Sequence, residues 1–195
     1  MSTLVYEWRP KPIFTQDWFT SRIPTLTEWL KNYKDKRCHA LEIGCFEGRS
    51  TLWFLENILT HPNSVLTVID NFKGGEEHTK EQMEGVKERF LSNTNHLKDK
   101  YQLLEGTSDQ LLKIDSEMFD FAYIDGSHKS EDVYKDATNV WELIKPFGTM
   151  IFDDYEWDRM KDTPKNGIDK FIHEKWNQIH TVVKGYMILV IKGDK

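Results

Sequence analysis

Five short apolar runs, at residues 38–43, 64–69, 101–104, 119–124 and 149–152, constrain this chain more than any other feature of its sequence. Stretches of helical periodicity separate them, at residues 50–59, 80–97, 108–112 and 130–144. Apolar strands alternating with helices of roughly 10 to 15 residues imply a parallel sheet covered on both faces. A helix at 25–33 precedes the alternation, with Pro24 just before it, and a last helix carries Ile168, Phe171, Ile172 and Trp176. Two further runs, 179–183 and 186–191, flank Lys184-Gly185 and read as an antiparallel hairpin. The expectation is a Rossmann-like, doubly wound α/β fold. Its sheet has seven mostly parallel strands, an antiparallel last strand and helices on both faces.

With 195 residues the chain has the length of one domain. Residues 1–36 form an aromatic segment and helix, and 37–195 the α/β domain. Its 26 Lys and Arg against 32 Asp and Glu leave a net charge of -6, which argues against a dedicated nucleic-acid binder. Cys38 and Cys45 fall on one strand and its following turn, so a disulfide between them is not expected. No apolar run approaches the ~18 residues of a membrane span. Glu7, Arg9 and Lys11 stand where a signal peptide would be apolar. A reduced, soluble, cytoplasmic protein is the expectation.

In open α/β sheets ligands bind beyond the carboxyl ends of the strands. Here every parallel strand closes in polar groups: Gly44 to Ser50, Asp70-Asn71, Glu105 to Asp109, Asp125 to His128, and Asp153-Asp154-Tyr155. A sheet that is only structural has no reason to gather them on one edge.

The glycine turn runs Glu42-Ile43-Gly44-Cys45-Phe46-Glu47-Gly48-Arg49-Ser50. Gly44 lets a ligand approach the backbone, and Gly48 lets the turn pack close to the next helix. Ser50 is placed to cap that helix. A pyrophosphate site needs a third glycine, where Phe46 stands, so NAD and FAD do not fit. A ligand with adenosine and no pyrophosphate fits better; an ordinary strand-to-helix turn is the alternative. Asp70, at the tip of the next strand, can accept from two ribose hydroxyls or can cap its own loop.

Asp125, Asp153 and Asp154 end two strands expected to be neighbours. Crowded carboxylates must share a proton or a cation, and oxygen donors suit Mg²⁺ or Ca²⁺. Against this, Asp125 could start a turn, and Asp153 and Asp154 could face opposite ways. His128 could take a proton from a substrate hydroxyl or help cap the helix near Ser130. His61, His78 and His96 read as solvated.

These residues resemble the class I S-adenosylmethionine (SAM)-dependent methyltransferases. The likeness is to the small-molecule O-methyltransferase branch, catechol-type and macrocin or sugar-type. It rests on Leu41 to Ser50, Tyr123-Ile124-Asp125-Gly126-Ser127-His128 and Ile151-Phe152-Asp153-Asp154-Tyr155. The resemblance implies a SAM site made of Glu42, Gly44, Cys45, Phe46, Gly48, Ser50, Asp70, Asn71 and Ser108. Within it Gly44 meets the methionine amine, Ser50 its carboxylate, Asp70 the ribose and Ser108 the adenine. It also implies a Mg²⁺ site at Asp125, Asp153 and Asp154, and His128 and Asp125 as catalytic groups. Two departures stand out: His128 replaces a catalytic lysine of catechol-type enzymes, and Asp154 replaces their asparagine.

The implied reaction transfers a methyl group to a hydroxyl of a small molecule or sugar. Trp8, Trp18 and Phe19 would form an acceptor lid, or else pack in the core or in a homo-oligomer interface. Other readings are a metal-dependent hydroxylase, an N-methyltransferase, or a non-catalytic module that holds SAM or a nucleotide.

Overall fold

The computed structural model describes residues 11–113 and 118–194. A 3₁₀ turn, Thr20–Arg22, leads into helix α1, Ile23–Leu30, with Pro24 inside its first turn. Then follow β1 (His39–Ile43), α2 (Arg49–Trp53), β2 (Val65–Asp70), α3 (Lys80–Met83), α4 (Val86–Thr94) and β3 (Tyr101–Glu105). The second half holds β4 (Phe119–Ile124), α5 (Ser130–Trp141), β5 (Ile144–Phe152), α6 (Pro164–Lys175), β6 (Ile179–Lys184) and β7 (Ile188–Lys192). No helix among the described residues is long and apolar enough to cross a membrane.

The seven strands form one sheet in the order β3-β2-β1-β4-β5-β7-β6. β7 runs antiparallel to both neighbours and the other pairings are parallel. The expected fold is therefore the observed one. The chain winds outward from β1 to β3, then returns to β4 beside β1, so the topological switch lies between β1 and β4.

Strand alternation divides the core in two. Leu41, Ala122, Ile124, Met150, Phe152 and Ile188 pack with Trp141 of α5 and Phe171 of α6. Ala40, Leu66, Val68, Phe121, Tyr123 and Ile151 pack with Leu26, Leu30, Trp53 and Phe90 of α1, α2 and α4. Each such large side chain contributes about 1.5–3 kcal/mol when fully buried. α1 thus shares a core with the sheet.

Several local expectations are corrected. The helix expected over 80–97 is broken: Gly85 adopts φ +68° between α3 and α4, and a 3₁₀ run, Asn95–Lys100, follows. Ser50 does not cap α2. Gly48, in the left-handed region, is the N-cap, and Ser50 lies inside the first turn. α5 ends at Trp141, three residues early, because Ile144 already pairs with Phe119 in the sheet. The closing hairpin turns over Gly185-Tyr186-Met187 rather than two residues. Cys38 and Cys45 are both free thiols, as expected.

Candidate active site

The backbone ladder runs one residue past each strand end. Gly44 donates to the Ile69 carbonyl (2.9 Å), Asp125 to Ile43 (2.8 Å), Asp153 to Ile124 (3.0 Å) and Gly106 to Asp70 (2.9 Å). This aligns the ends of β1 to β5 along one edge, with Gly44 beside Asp125 at the switch point. A Cβ on Gly44 would lie 2.0 Å from the Asp125 carbonyl oxygen, and its φ is +83°. Only glycine lets the two strand ends approach this closely.

Phe46 takes φ +47°, the left-handed conformation that glycine adopts more readily. Asp70 holds the strained turn: its Oδ2 accepts from the backbone N–H of Cys45 (2.7 Å) and Phe46 (3.0 Å). Its Oδ1 accepts from Phe72 N–H (2.7 Å). Glu42 lies behind the turn, fully buried. Its Oε2 accepts from Thr51 Oγ1 (2.5 Å), while Oε1 has no hydrogen-bond partner among the described residues. Burial pushes its carboxyl up to about 8.

Asp125 and Asp153 share a face and converge on one phenol. Tyr123 donates to Asp153 Oδ2 (2.5 Å) and reaches Asp125 Oδ2 (3.3 Å). Alternation would turn Asp154 to the opposite face, but its φ of +55° breaks the strand and brings it back to the cluster. His128 lies between carboxylates, Nε2 2.8 Å from Asp154 Oδ2 and Nδ1 2.8 Å from Glu77 Oε1. Its ring stacks on Trp157 at 4.4 Å and 7°.

His128 does not cap α5, whose N-cap is Lys129 and whose Ser130 N–H is accepted by Asp162. Burial pulls its pKa down, but Asp154 and Glu77 outweigh that and hold it above the ordinary histidine value. Burial, with Asp153 and Asp154 beside it, pushes Asp125 well above the carboxylate range.

A cleft of about 1230 Å³ runs along this edge. Gly44, Cys45, Phe46, Ser50, Asp70, Asn71 and Ser108 line one end; Asp125, His128, Asp153 and Asp154 line the other. Glu42 and Gly48 stand behind the wall. Residues 41–155 match a family model described as "Methyltransferase domain". The chain belongs to this methyltransferase family.

No curated protein matches it. Among solved structures it resembles the O-methyltransferase TomG from Streptomyces achromogenes, in complex with SAM, at TM-score 0.66 and 16% identity over 91% of this chain and 82% of that one. An O-methyltransferase from Bacillus cereus, in complex with SAH, gives 0.65 and 18% over 92% and 84%. MycE from the mycinamycin biosynthetic pathway, in complex with Mg, SAH and mycinamycin VI, gives 0.62 and 15% over 91% of this chain. The chain spans about half the length of MycE, 50%.

The methyltransferase has a second wall that single motifs do not reveal. Residues before α1 cross the glycine turn and are tied to it. Thr15 donates to Glu47 through N–H and Oγ1 (both 2.7 Å), and Arg89 pairs with the same carboxylate. Asn93 exchanges two hydrogen bonds with the Ile13 backbone, at 2.8 and 2.9 Å. Trp18 meets Phe46 (5.0 Å) and His78 (5.4 Å) at the cleft, while Phe19 is buried among Trp53, Phe54 and Tyr123. His78, expected in solvent, is instead packed here at 14% exposure. Trp8 lies outside the described residues.

The same segment brings Arg22 to the acidic cluster. Its Nε donates to Asp153 Oδ1 (2.8 Å) and Oδ2 (3.2 Å), and Nη2 lies 3.4 Å from Asp154 Oδ1. Asp153 Oδ1 also accepts the Asp154 N–H (2.7 Å), and Tyr186 donates to Asp154 Oδ1 (2.9 Å). Each carboxylate oxygen of Asp153 therefore takes two donors, and so does Asp154 Oδ1, which leaves little acceptor capacity for an ion. Arranged this way, the three aspartates do not fit a divalent ion. Among the described residues no group of three His, Cys, Asp or Glu side chains could hold one.

Proposed function

We propose that this methyltransferase moves the sulfonium methyl of SAM onto a hydroxyl of a small molecule or sugar. One observation carries the reading. A single cleft joins a glycine turn, closed to pyrophosphate chemistry by Phe46, to a histidine set between two carboxylates. SAM bound to TomG and SAH bound to the Bacillus cereus enzyme support the cofactor. Mycinamycin VI with MycE supports a small-molecule acceptor.

In this reading the cofactor occupies the end lined by Gly44, Ser50, Asp70 and Ser108. Asp70 accepts from the ribose through Oδ1, where its three backbone partners leave one acceptor site. Ser108 is buried and held by Asn139 (2.9 Å), a fixed polar wall for the adenine. Glu42 shapes the turn from behind through Thr51. The carbon–sulfur bond breaks as the oxygen–carbon bond forms in line, leaving a neutral thioether.

Alignment of the hydroxyl with the methyl supplies most of the acceleration. His128, oriented by Asp154 through Nε2, takes the hydroxyl proton at Nδ1 as Glu77 yields that position. No step runs through a divalent ion, because Asp153 and Asp154 already bind Arg22.

Calorimetry with SAM, SAH and NAD⁺, followed by mass spectrometry of phenol and sugar panels incubated with SAM, tests the reading. Binding of SAM and SAH and a product heavier by one methylene are expected. Binding of NAD⁺ without SAM, or SAM consumed with no methylated product, overturns it.

A further inference from the structure

We propose that Arg22 is the built-in cation of the acceptor site, occupying the place among Asp125, Asp153 and Asp154 that a divalent ion would need and presenting N–H groups to the acceptor oxygen. The proposal rests on the methyl-transfer reading for its chemistry, but not for its main test.

Four features support it. First, the guanidinium is fixed. Besides its bonds to Asp153 and Asp154, Nη1 donates to Ser21 Oγ (3.1 Å) and Cζ stands 3.8 Å over the Tyr186 ring. Second, its backbone is anchored, because Phe19 is buried in the core and the Arg22 N–H donates to the Phe19 carbonyl (2.8 Å).

Third, it reaches the cleft, with 17% of its side chain exposed there. A guanidinium carries five N–H groups. Three are engaged among the described residues, which leaves two for a ligand. Fourth, the carboxylates already have partners within the protein. Arg22 Nε lies 2.8 Å from Asp153 Oδ1, and Tyr186 and His128 lie 2.9 and 2.8 Å from the two oxygens of Asp154. A divalent ion would require Arg22 removed.

A fixed guanidinium suits this chemistry. It attracts the negative charge that develops on the acceptor oxygen as its proton leaves, and it does so without reorganising. Its planar fork also spans two carboxylates, Nε on Asp153 and Nη2 on Asp154, a geometry the single ammonium of a lysine does not reproduce. The proton itself still goes to His128, so Arg22 acts only through charge and hydrogen bonds.

The decisive measurement is Mn²⁺ binding by electron paramagnetic resonance in the SAH-saturated full chain, wild type against Arg22→Ala and Arg22→Lys. Wild type and Arg22→Lys are expected to leave Mn²⁺ free, and Arg22→Ala to bind it. Calorimetric SAH affinity should change less than about twofold in both variants, which also reports that they fold. Wild-type turnover should survive EDTA. Arg22→Ala should lose about 10² to 10³-fold in kcat in EDTA, the cost of removing one preorganised donor. It should recover part of that with Mg²⁺.

Wild type binding Mn²⁺ as tightly as Arg22→Ala, or Arg22→Ala keeping full kcat in EDTA, overturns the proposal. If SAH does not bind at all, the methyl-transfer reading fails instead. The Mn²⁺ comparison, made without SAH, still decides whether Arg22 holds the cation position.

Discussion

At the Gly44 end of the cleft the carboxylate on the rim, Asp70, is met by backbone N–H groups; at the Asp153 end the carboxylates are met mainly by side chains. The first end is assembled from β1, the next turn and the tip of β2. Asp70 accepts from the N–H groups of Cys45, Phe46 and Phe72. The second end gathers Arg22, Glu77, His128, Asp154 and Tyr186, with Arg22 and Asp153 131 positions apart. A backbone site holds one shape and tolerates little change. A side-chain site can change its chemistry by exchanging a single residue, as Arg22 in the cation position illustrates.

The contrast can be broken most severely at Gly44. Gly44→Ala drives a methyl into the Asp125 backbone and strains a φ of +83°, so both ends should fail together. The expected result is loss of measurable SAM binding and a lowered melting temperature. A variant that binds SAM normally would show that the turn is not the rigid element.

The next largest effect separates the two ends. His128→Ala should lower kcat about 10² to 10⁴-fold, with SAM affinity by calorimetry unchanged. The wild-type rate should also depend on pH. The base must be neutral to accept a proton, and Asp154 and Glu77 raise its pKa. Activity is therefore low when His128 is protonated and climbs as pH rises through a value above the ordinary histidine range. The variant should lack that limb. A wild-type profile flat from pH 6 to 9 would remove His128 from the proton path.

Asp70→Asn sharpens the cofactor end. The amide replaces a charged acceptor of backbone N–H groups, and SAM binding should weaken by about 1 to 3 kcal/mol. Loss of stability without loss of affinity would make Asp70 a brace for the turn alone.

The smallest effect belongs to Glu42. Its folded pKa of about 8 stands above the unfolded value of about 4.5. The folded protein thus holds a proton that the unfolded chain gives up, and stability falls as pH rises from about 4.5 to 8. Glu42→Gln escapes that loss and can still accept from Thr51. Scanning fluorimetry of the cofactor-free protein should find the variant more stable by a few degrees at pH 8 to 9 and little different near pH 4.5.

Strand positions were legible because apolar runs and their polar ends are local patterns. Gly44, Asp70, Asp125 and Asp153 could all be placed at strand tips from residue order alone. Asp154 could not, since its direction depends on a positive φ that alternation does not foresee. Nor could Ser50, displaced from the cap by Gly48. Arg22, Glu77 and Tyr186 join the site only through tertiary packing. The one available hint was an arginine among the aromatics ahead of the first strand, and nothing in its spacing pointed to β5.

The crossing of residues 13–19 over the glycine turn has a thermodynamic consequence. Glu47 belongs to both: its carboxylate holds Thr15 while its own carbonyl accepts from Asn93 (2.9 Å). Two equilibria that share a group cannot shift independently. A ligand that firms the turn also firms the crossing segment, and whatever loosens that segment weakens the ligand by the same factor. The affinity of any ligand held by the turn is thereby coupled to a stretch of chain that lies outside the matched family region, where substitutions can retune it without touching a motif.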